Sequence, residues 1–293
     1  MRPISTETDI QNDPEYAATS RTVETPVGEL HYHEAGDGPP LLLLHGSGPG
    51  VSAWSNFRGN LAAFAAGYRT LALDFPGFGV SASCDGSPLA AAAPAVTAFL
   101  DALGLESVAI VGNSMGGNVA SQVAAAHPDR VSRLVTIGGV GTALFATSPS
   151  EGVKLLVQFV EDPTRERLVT WMESMVFDPS ILTEEFVELR WQVASKPEAL
   201  ADVKRMFNSK VLGMMRRAPL AAPDQVATLA KIKAPTLITW GRDDRVTPLD
   251  SMLVPMRVIR NCELHVFPDC GHWAMIERKA EFERVTLEFL GRP

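Results

Sequence analysis

A serine, a histidine and a pair of adjacent aspartates stand where strand-like runs give way to loops. The serine lies in Gly112-Asn113-Ser114-Met115-Gly116, directly after the apolar run Val108-Ala109-Ile110-Val111. Gly-x-Ser-x-Gly on the end of a buried strand makes a turn into a helix so tight that the central serine is strained and held out for attack. A side chain at 112 or 116 would crowd that turn. Helical signal follows at once from Met115 to Ala126, and His127-Pro128 closes it. Ser114 therefore reads as a nucleophile.

A serine hydroxyl is weak at neutral pH and needs a base that is itself oriented by a carboxylate. With this elbow the partners follow in the order Ser, then Asp or Glu, then His. Pro235 to Trp240 reads as a buried strand that runs into Gly241-Arg242-Asp243-Asp244-Arg245-Val246-Thr247-Pro248. Leu264 to Phe267 reads as a final strand, followed by Pro268-Asp269-Cys270-Gly271-His272-Trp273. Among the six histidines, His31, His33 and His265 fall inside strands and His127 ends a helix. His45 precedes a glycine-rich loop and shapes it, which leaves His272 as the base. Asp243 and Asp244 are adjacent, and only one can face that histidine. Asp74 is a rival acid, but it precedes Ser114 in the chain and begins a Phe75-Pro76-Gly77-Phe78-Gly79 turn.

The charge that develops on an attacked carbonyl oxygen is best held by fixed backbone N–H groups. His45-Gly46-Ser47-Gly48-Pro49-Gly50 follows the strand Leu41–Leu44. The expected donors are the N–H groups of Ser47 and of Met115, just after the nucleophile. No G-x-x-x-x-G-K-[ST] is present and no G-x-G-x-x-G opens a helix, so phosphate and dinucleotide cradles are not expected.

Alternating strands and helices must position these groups. Strand-like runs lie near 22–26, 29–35, 41–45, 68–73, 107–112, 131–138, 235–240 and 262–267. Most are short and β-branched or Leu-rich, as expected of strands covered on both faces. Helical candidates are 54–66, 95–104, 115–127, 249–259 and 276–290, with Pro94 expected to start or kink the second of them. From about Thr142 to Pro223 strand signal is absent, and helical stretches fall near 150–160, 164–176, 183–195 and 197–209. The expected organisation is an N-terminal arm (1–20), an α/β core (21–141 and 224–293) and an inserted helical cap (142–223).

With 293 residues, 46% of them apolar, one such enlarged domain can bury a large core. A net charge of −8 argues against nucleic acid and anionic membrane as partners. No run approaches the roughly 18 apolar residues of a membrane span. Met1 to Ser20 lacks the order of a signal peptide and reads as a partly ordered arm. Cys84, Cys262 and Cys270 form an odd set without metal spacing, which fits a reducing cytoplasm.

One cap residue stands out. On a helix over 183–195, Arg190 has Phe186, Val187, Val193 and Ala194 at neighbouring positions of one face. An unpaired buried cation is costly, so Arg190 either meets a carboxylate of the protein or waits for an anionic ligand. Trp191 and Trp273 are candidates to line the same cavity.

The combination resembles the α/β-hydrolases, and specifically the meta-cleavage product hydrolases, which split carbon–carbon bonds in ring-opened aromatic compounds. The matching segments are His45 to Gly50 with Ala53-Trp54-Ser55-Asn56, Gly112 to Gly117, Leu189-Arg190-Trp191, Trp240 to Arg245, and Cys270 to Trp273. The likeness runs from about Val23 to Gly291. It implies an α/β-hydrolase fold with a mostly parallel eight-stranded sheet. It favours Asp244, because Gly-x-x-Asp-x-x-x-Pro is the spacing of this loop in related sequences. It also implies substrate-binding roles for Arg190, Asn56, Asn113, Trp273 and Gly46. The implied substrate is a small anionic 2-hydroxy-6-oxo-hexa-2,4-dienoate cleaved at C5–C6. No metal or organic cofactor is implied, and similar enzymes associate as homo-oligomers. A carboxylesterase on the same triad would leave Arg190 and Asn113 without an anion to explain them. A ligand receptor that kept a hydrolase pocket would have no use for an intact triad.

Overall fold

The computed structural model describes residues 13–216 and 223–293; residues 1–12 of the expected arm and 217–222 of the expected cap lie outside them. Eight strands form one sheet: β1 (Ser20–Thr25), β2 (Gly28–Ala35), β3 (Pro40–Leu44), β4 (Arg69–Leu73), β5 (Val108–Asn113), β6 (Val131–Ile137), β7 (Thr236–Gly241) and β8 (Cys262–Phe267). Their order is β1-β2-β4-β3-β5-β6-β7-β8. β2 runs antiparallel to β1 and β4, and the remaining neighbours are parallel.

The central parallel strands are mostly apolar because both faces are covered. Leu42 and Leu44 of β3 enter one core and Leu41 and Leu43 the other; Leu71 and Leu73 part from Ala72 in the same way, and Ile110 from Ala109 and Val111. On one face pack α3 (Pro88–Ala102) and α4 (Met115–Ala126); on the other pack α2 (Ala53–Ala65) and the C-terminal helices. The chain leaves β3 for β4 on one side and later returns to β5 on the other, so β3 and β5 flank the switch point where parallel sheets open a crevice. The loops carrying His45–Gly48 and Ser114 leave the sheet there.

Among the described residues six α-helices lie between β6 and β7, the first five being α5 (Glu151–Glu161), α6 (Arg165–Met175), α7 (Glu184–Ala194), α8 (Pro197–Met206) and α9 (Ser209–Met215). They are followed by α10 (Pro223–Leu229), which leads to β7, and α11 (Leu253–Val258) precedes β8. The chain ends in α12 (Ala274–Glu277) and α13 (Lys279–Leu290), and α1 (Pro14–Thr19) precedes β1.

Several expectations need correction. The second core helix does not start at Pro94 but begins at Pro88, with Pro94 inside it. Pro88 suits a first helical position, and Ala90–Ala93 carry the helix through one lost hydrogen bond. The stretch 197–209 divides into α8 and α9, because Asn208 caps a new helix by accepting from the N–H groups of Lys210 and Val211. The stretch 249–259 is a 3₁₀ turn followed by α11. The last helix breaks at Arg278, whose φ of −118° is not helical. The described end of the arm is tied down: Tyr16 packs against His33 and Trp54, Thr19 Oγ1 lies 2.9 Å from His33 Nδ1, and Ser20 Oγ lies 2.8 Å from His31 Nε2.

Candidate active site

Ser114 sits between β5 and α4 with φ 53° and ψ −115°, a strained conformation for any residue with a side chain. The flanking glycines make it feasible. A Cβ on Gly112 would lie 2.4 Å from the Gly116 carbonyl oxygen, and one on Gly116 would lie 2.2 Å from that of Leu44. Met115 is the first residue of α4, so its N–H has no acceptor within the helix. Ser47 follows β3 in an irregular segment, and the N–H of Gly46 beside it donates to Asn56 Oδ1 at 3.0 Å. His45 holds that segment from the other side. The Phe75 N–H donates to His45 Nε2 at 3.0 Å, so Nδ1 carries the proton and donates to Gly46 O at 2.6 Å. Complete burial pushes the His45 imidazole below its ordinary value, which keeps it neutral.

His272 and Asp244 meet behind the serine, Nδ1 to Oδ2, at 2.7 Å, and both side chains are buried. The loop itself decides between the adjacent aspartates. Asp244 Oδ1 accepts from the N–H groups of Val246 and Thr247, each at 2.8 Å, which curls the loop around the carboxylate and leaves Oδ2 for the imidazole. Asp243 turns outward to Arg242 at 3.2 Å. Asp74 is not the acid: it pairs with His31 at 2.8 Å and accepts from the Ala53 N–H at 2.6 Å, fixing the start of α2. Burial pushes the Asp74 carboxyl up, but the His31 hydrogen bond, the charge of His31 and the Ala53 N–H outweigh it and hold the group below its ordinary value.

Ser114 and His272 face one chamber of about 500 Å³, between the carboxyl edge of the sheet and the inserted helices. Gly46, Ser47, Asn56, Asn113, Met115, Arg190 and Trp273 line it too, so nine of the ten expected site residues share one cavity and Asp244 stands behind its histidine. Ser114 Oγ makes no side-chain hydrogen bond among the described residues. Catalytic contacts of this kind commonly tighten only around substrate. Trp191 does not line the chamber; its ring packs on Phe159.

Arg190 is 6% exposed on α7. Its guanidinium lies 5.6 Å from the centre of the Trp273 ring and donates to the Pro49 carbonyl at 3.3 Å. Among the described residues no carboxylate pairs with it, while Glu184 and Glu188 of the same helix pair with Arg165. Burial alone holds the group down to about 10, so it remains charged at neutral pH. A charged guanidinium in the wall of a cavity, with no carboxylate partner among the described residues, has the charge and the donors to receive an anion.

Comparison with known proteins agrees with this geometry. The profile of the Alpha/beta hydrolase family matches residues 41–285. A 2-hydroxy-6-oxo-6-phenylhexa-2,4-dienoate hydrolase of Comamonas testosteroni is 40% identical over 267 residues, covering 89% of this chain and 91% of the relative. The chain belongs to the meta-cleavage product hydrolases of the α/β-hydrolase family. A 2-hydroxy-6-oxononadienedioate/2-hydroxy-6-oxononatrienedioate hydrolase of Paraburkholderia phymatum is 41% identical over 287 residues, covering 94% of this chain and 97% of its own. Among solved structures, a meta-cleavage product hydrolase from Pseudomonas fluorescens IP01 superposes with a TM-score of 0.84 at 31% identity, covering 94% of this chain and 98% of the other.

Three groups that support the site in this hydrolase escaped sequence reasoning. Thr247 Oγ1 lies 2.7 Å from Gly138 O, 2.8 Å from Asp244 Oδ2 and 3.2 Å from His272 Nδ1. Gly138, after β6, has φ 55°, and a Cβ there would lie 3.0 Å from Asp244 Oδ2 and 3.1 Å from His272 Nδ1. Glu277 accepts from the N–H groups of Gly271 at 2.8 Å and Phe177 at 2.6 Å, clamping the histidine loop to the segment after α6. The His272 N–H donates to Met175 O at 2.7 Å, so that segment also fixes the histidine backbone. Only Thr247 left a sequence signal, three residues after the acid in an Asx-type turn.

Proposed function

We propose that this enzyme hydrolyses the C5–C6 bond of a 2-hydroxy-6-oxo-hexa-2,4-dienoate formed in aromatic ring degradation, giving a 2-hydroxypenta-2,4-dienoate and a carboxylic acid. The observation that carries the reading is the unpaired Arg190 guanidinium in the same chamber as Ser114 and the Asp244-backed His272. An ordinary ester gives such a cation nothing to bind. A dienoate brings a carboxylate and a 2-oxygen to one end of an extended conjugated chain.

In the proposed mechanism Arg190 holds that end, with Asn56 and Asn113 completing the polar wall and Trp273 stacking under the guanidinium. Gly46 leaves room for the ligand beside Asn113. The C5–C6 bond is a poor leaving bond until C5 can accept the electron pair. Loss of the 2-hydroxyl proton and delivery of a proton to C5 convert the dienol to its keto form, with His272 moving the proton. Ser114 Oγ then adds to the C6 ketone as His272 accepts the hydroxyl proton, and the N–H groups of Ser47 and Met115 hold the oxyanion. Collapse breaks C5–C6, and the electron pair passes into the 2-oxo system to give the 2-hydroxypentadienoate after reprotonation. Water, deprotonated by His272, releases the acid from the Ser114 ester and restores the enzyme. In this reading the inserted helices α5 to α9 act as the lid that excludes bulk water. Wild-type enzyme should discharge the strong visible absorbance of a dienoate. Ser114→Ala should bind the same chromophore and retain it; steady turnover by that variant removes Ser114 from the nucleophile role.

A further inference from the structure

We infer that this chamber selects dienoates whose C6 substituent is uncharged and apolar, and discriminates against those whose tail ends in a second carboxylate. The inference rests on the function proposed above. Similarity does not make the choice, because relatives named for a 6-phenyl substrate and for a dienedioate stand at 40% and 41% identity.

The lining of the chamber does. Among the described lining residues Arg190 is the only lysine or arginine. It belongs to the end built by Trp273, Asn56, Gly46 and Asn113: the guanidinium lies against the Trp273 ring, Asn56 Oδ1 accepts from Gly46, and a Cβ on Gly46 would meet Asn113 Oδ1 at 3.1 Å. The first carboxylate of any dienoate is bound there. A second carboxylate, beyond C6 on an extended conjugated chain, cannot share the same cation. Elsewhere the wall is Leu156 of α5, Met206 and Phe207 at the end of α8, and Val211 and Met215 of α9. Beyond the catalytic pair, the further side-chain polar groups are two amides of α4, Asn118 and Gln122, the hydroxyls of Ser47 and Thr247 and the indole N–H of Trp171, none of them charged. Asn118 Nδ2 already donates to Ser114 O at 3.4 Å, and Thr247 is engaged with Asp244. A tail carboxylate entering this space gives up water for thioether, alkyl and aromatic groups with no cation opposite among the described lining residues, whereas a phenyl or alkyl tail gains from the same burial. The protein's own charge of −8 adds no compensation.

Three substrates identical through the C6 ketone test this: the 6-phenyl dienoate, 2-hydroxy-6-oxonona-2,4-dienoate, and the dienedioate that carries a carboxylate in place of the last compound's terminal methyl. The two nine-carbon compounds differ in charge and scarcely in length. Decay of dienoate absorbance should give a kcat/KM at least about a hundredfold lower for the dienedioate than for its methyl-ended counterpart, the scale expected when a charged group is left without a partner. Equal or faster turnover of the dienedioate overturns the inference while leaving the proposed function standing. Failure of all three to react sinks the proposed function and this inference with it. A second variant separates charge from shape. Gln122 lies two helical turns, about 12 Å of rise, beyond Ser114 on α4 and is exposed, so a cation there keeps contact with water while reaching back into the chamber. In Gln122→Arg the ratio of dienedioate to methyl-ended kcat/KM should rise at least about tenfold, a change of 1.4 kcal/mol in the difference between the two barriers. A folded variant whose ratio does not move shows that the missing cation was not the cause.

Discussion

Replacing Arg190 with methionine should leave the protein at least as stable as before and nearly inactive on an anionic dienoate. Burial holds the guanidinium down to about 10. At about 1.36 kcal/mol per pKa unit, a drop of that size from the usual guanidinium value corresponds to roughly 3 kcal/mol of charge burial without compensation. The sign follows from proton linkage. The unfolded chain holds this proton more tightly than the folded one, so the penalty is fully present below pH 10 and is relieved only as pH rises above it. At pH 7.5 the whole penalty therefore applies. Against it stand the contact over Trp273, worth about 1 kcal/mol, and the long hydrogen bond to Pro49 O, worth about 1 kcal/mol or less. Methionine keeps much of the side-chain volume, so the expected net change is a gain of about 1 kcal/mol, read from the urea midpoint at constant slope. Catalysis should move the other way. Truncating one member of a buried, hydrogen-bonded charge pair costs about 2–5 kcal/mol, so kcat/KM for a dienoate should fall by about 30- to 5,000-fold. A neutral aryl ester, which has no use for the guanidinium, should lose less than about threefold. Equal losses on both substrates, or an unfolding free energy lowered by more than about 1 kcal/mol, would refute the idea that Arg190 is kept for the ligand at the expense of the fold.

Three further outcomes follow from the supporting contacts. Gly138→Ala forces a Cβ to within 3.0 Å of Asp244 Oδ2 at a φ of 55°; it should cost about 2 kcal/mol in unfolding experiments and at least about tenfold in kcat, with both expected near zero if the dyad is not crowded. Thr247→Val keeps the volume but removes the hydroxyl proton shared between Gly138 O and Asp244 Oδ2. It should lower kcat about tenfold and alter the pH profile of kcat/KM, and Thr247→Ser should restore both; failure of the serine variant to rescue would assign Thr247 to packing. His33 is buried among Tyr16, His31 and Trp54, and burial, followed by the charge of His31, lowers its pKa to about 4. Because the folded value is depressed, its stabilisation is complete above pH 6.5 and is lost progressively as pH falls toward 4, by up to roughly 3 kcal/mol. His33→Phe should flatten the urea midpoint across that window, and an unchanged slope would locate acid sensitivity elsewhere.

What could be read in the chain depended on how far apart the interacting groups lie. The nucleophile elbow was legible because its constraint is local: Gly112 and Gly116 are four residues apart, and their missing side chains meet each other's backbone or the adjacent strand. The central strands β3, β4, β5 and β7 were legible for a similar reason, since burial on both faces leaves each one a short, mostly apolar run. Asp243 and Asp244 could not be separated by residue type alone. Their difference lies in two N–H groups of the next turn, which hold Asp244 and leave Asp243 to Arg242. Gly138 and Glu277 gave no signal, because each acts only where loops from different strands meet. Arg190 marks the boundary between the two cases. Helical spacing put a cation on an apolar face and left open whether a protein carboxylate or a ligand would answer it. Only the placing of α7 against the loops that follow β3 and β8 decides that: it brings the Pro49 carbonyl and the Trp273 ring beside the guanidinium, and no acid among the described residues. A catalytic serine constrains its immediate neighbours, but a specificity cation is defined by what surrounds it from elsewhere in the chain, so the chemistry of this site reads more readily from sequence than the shape of its substrate.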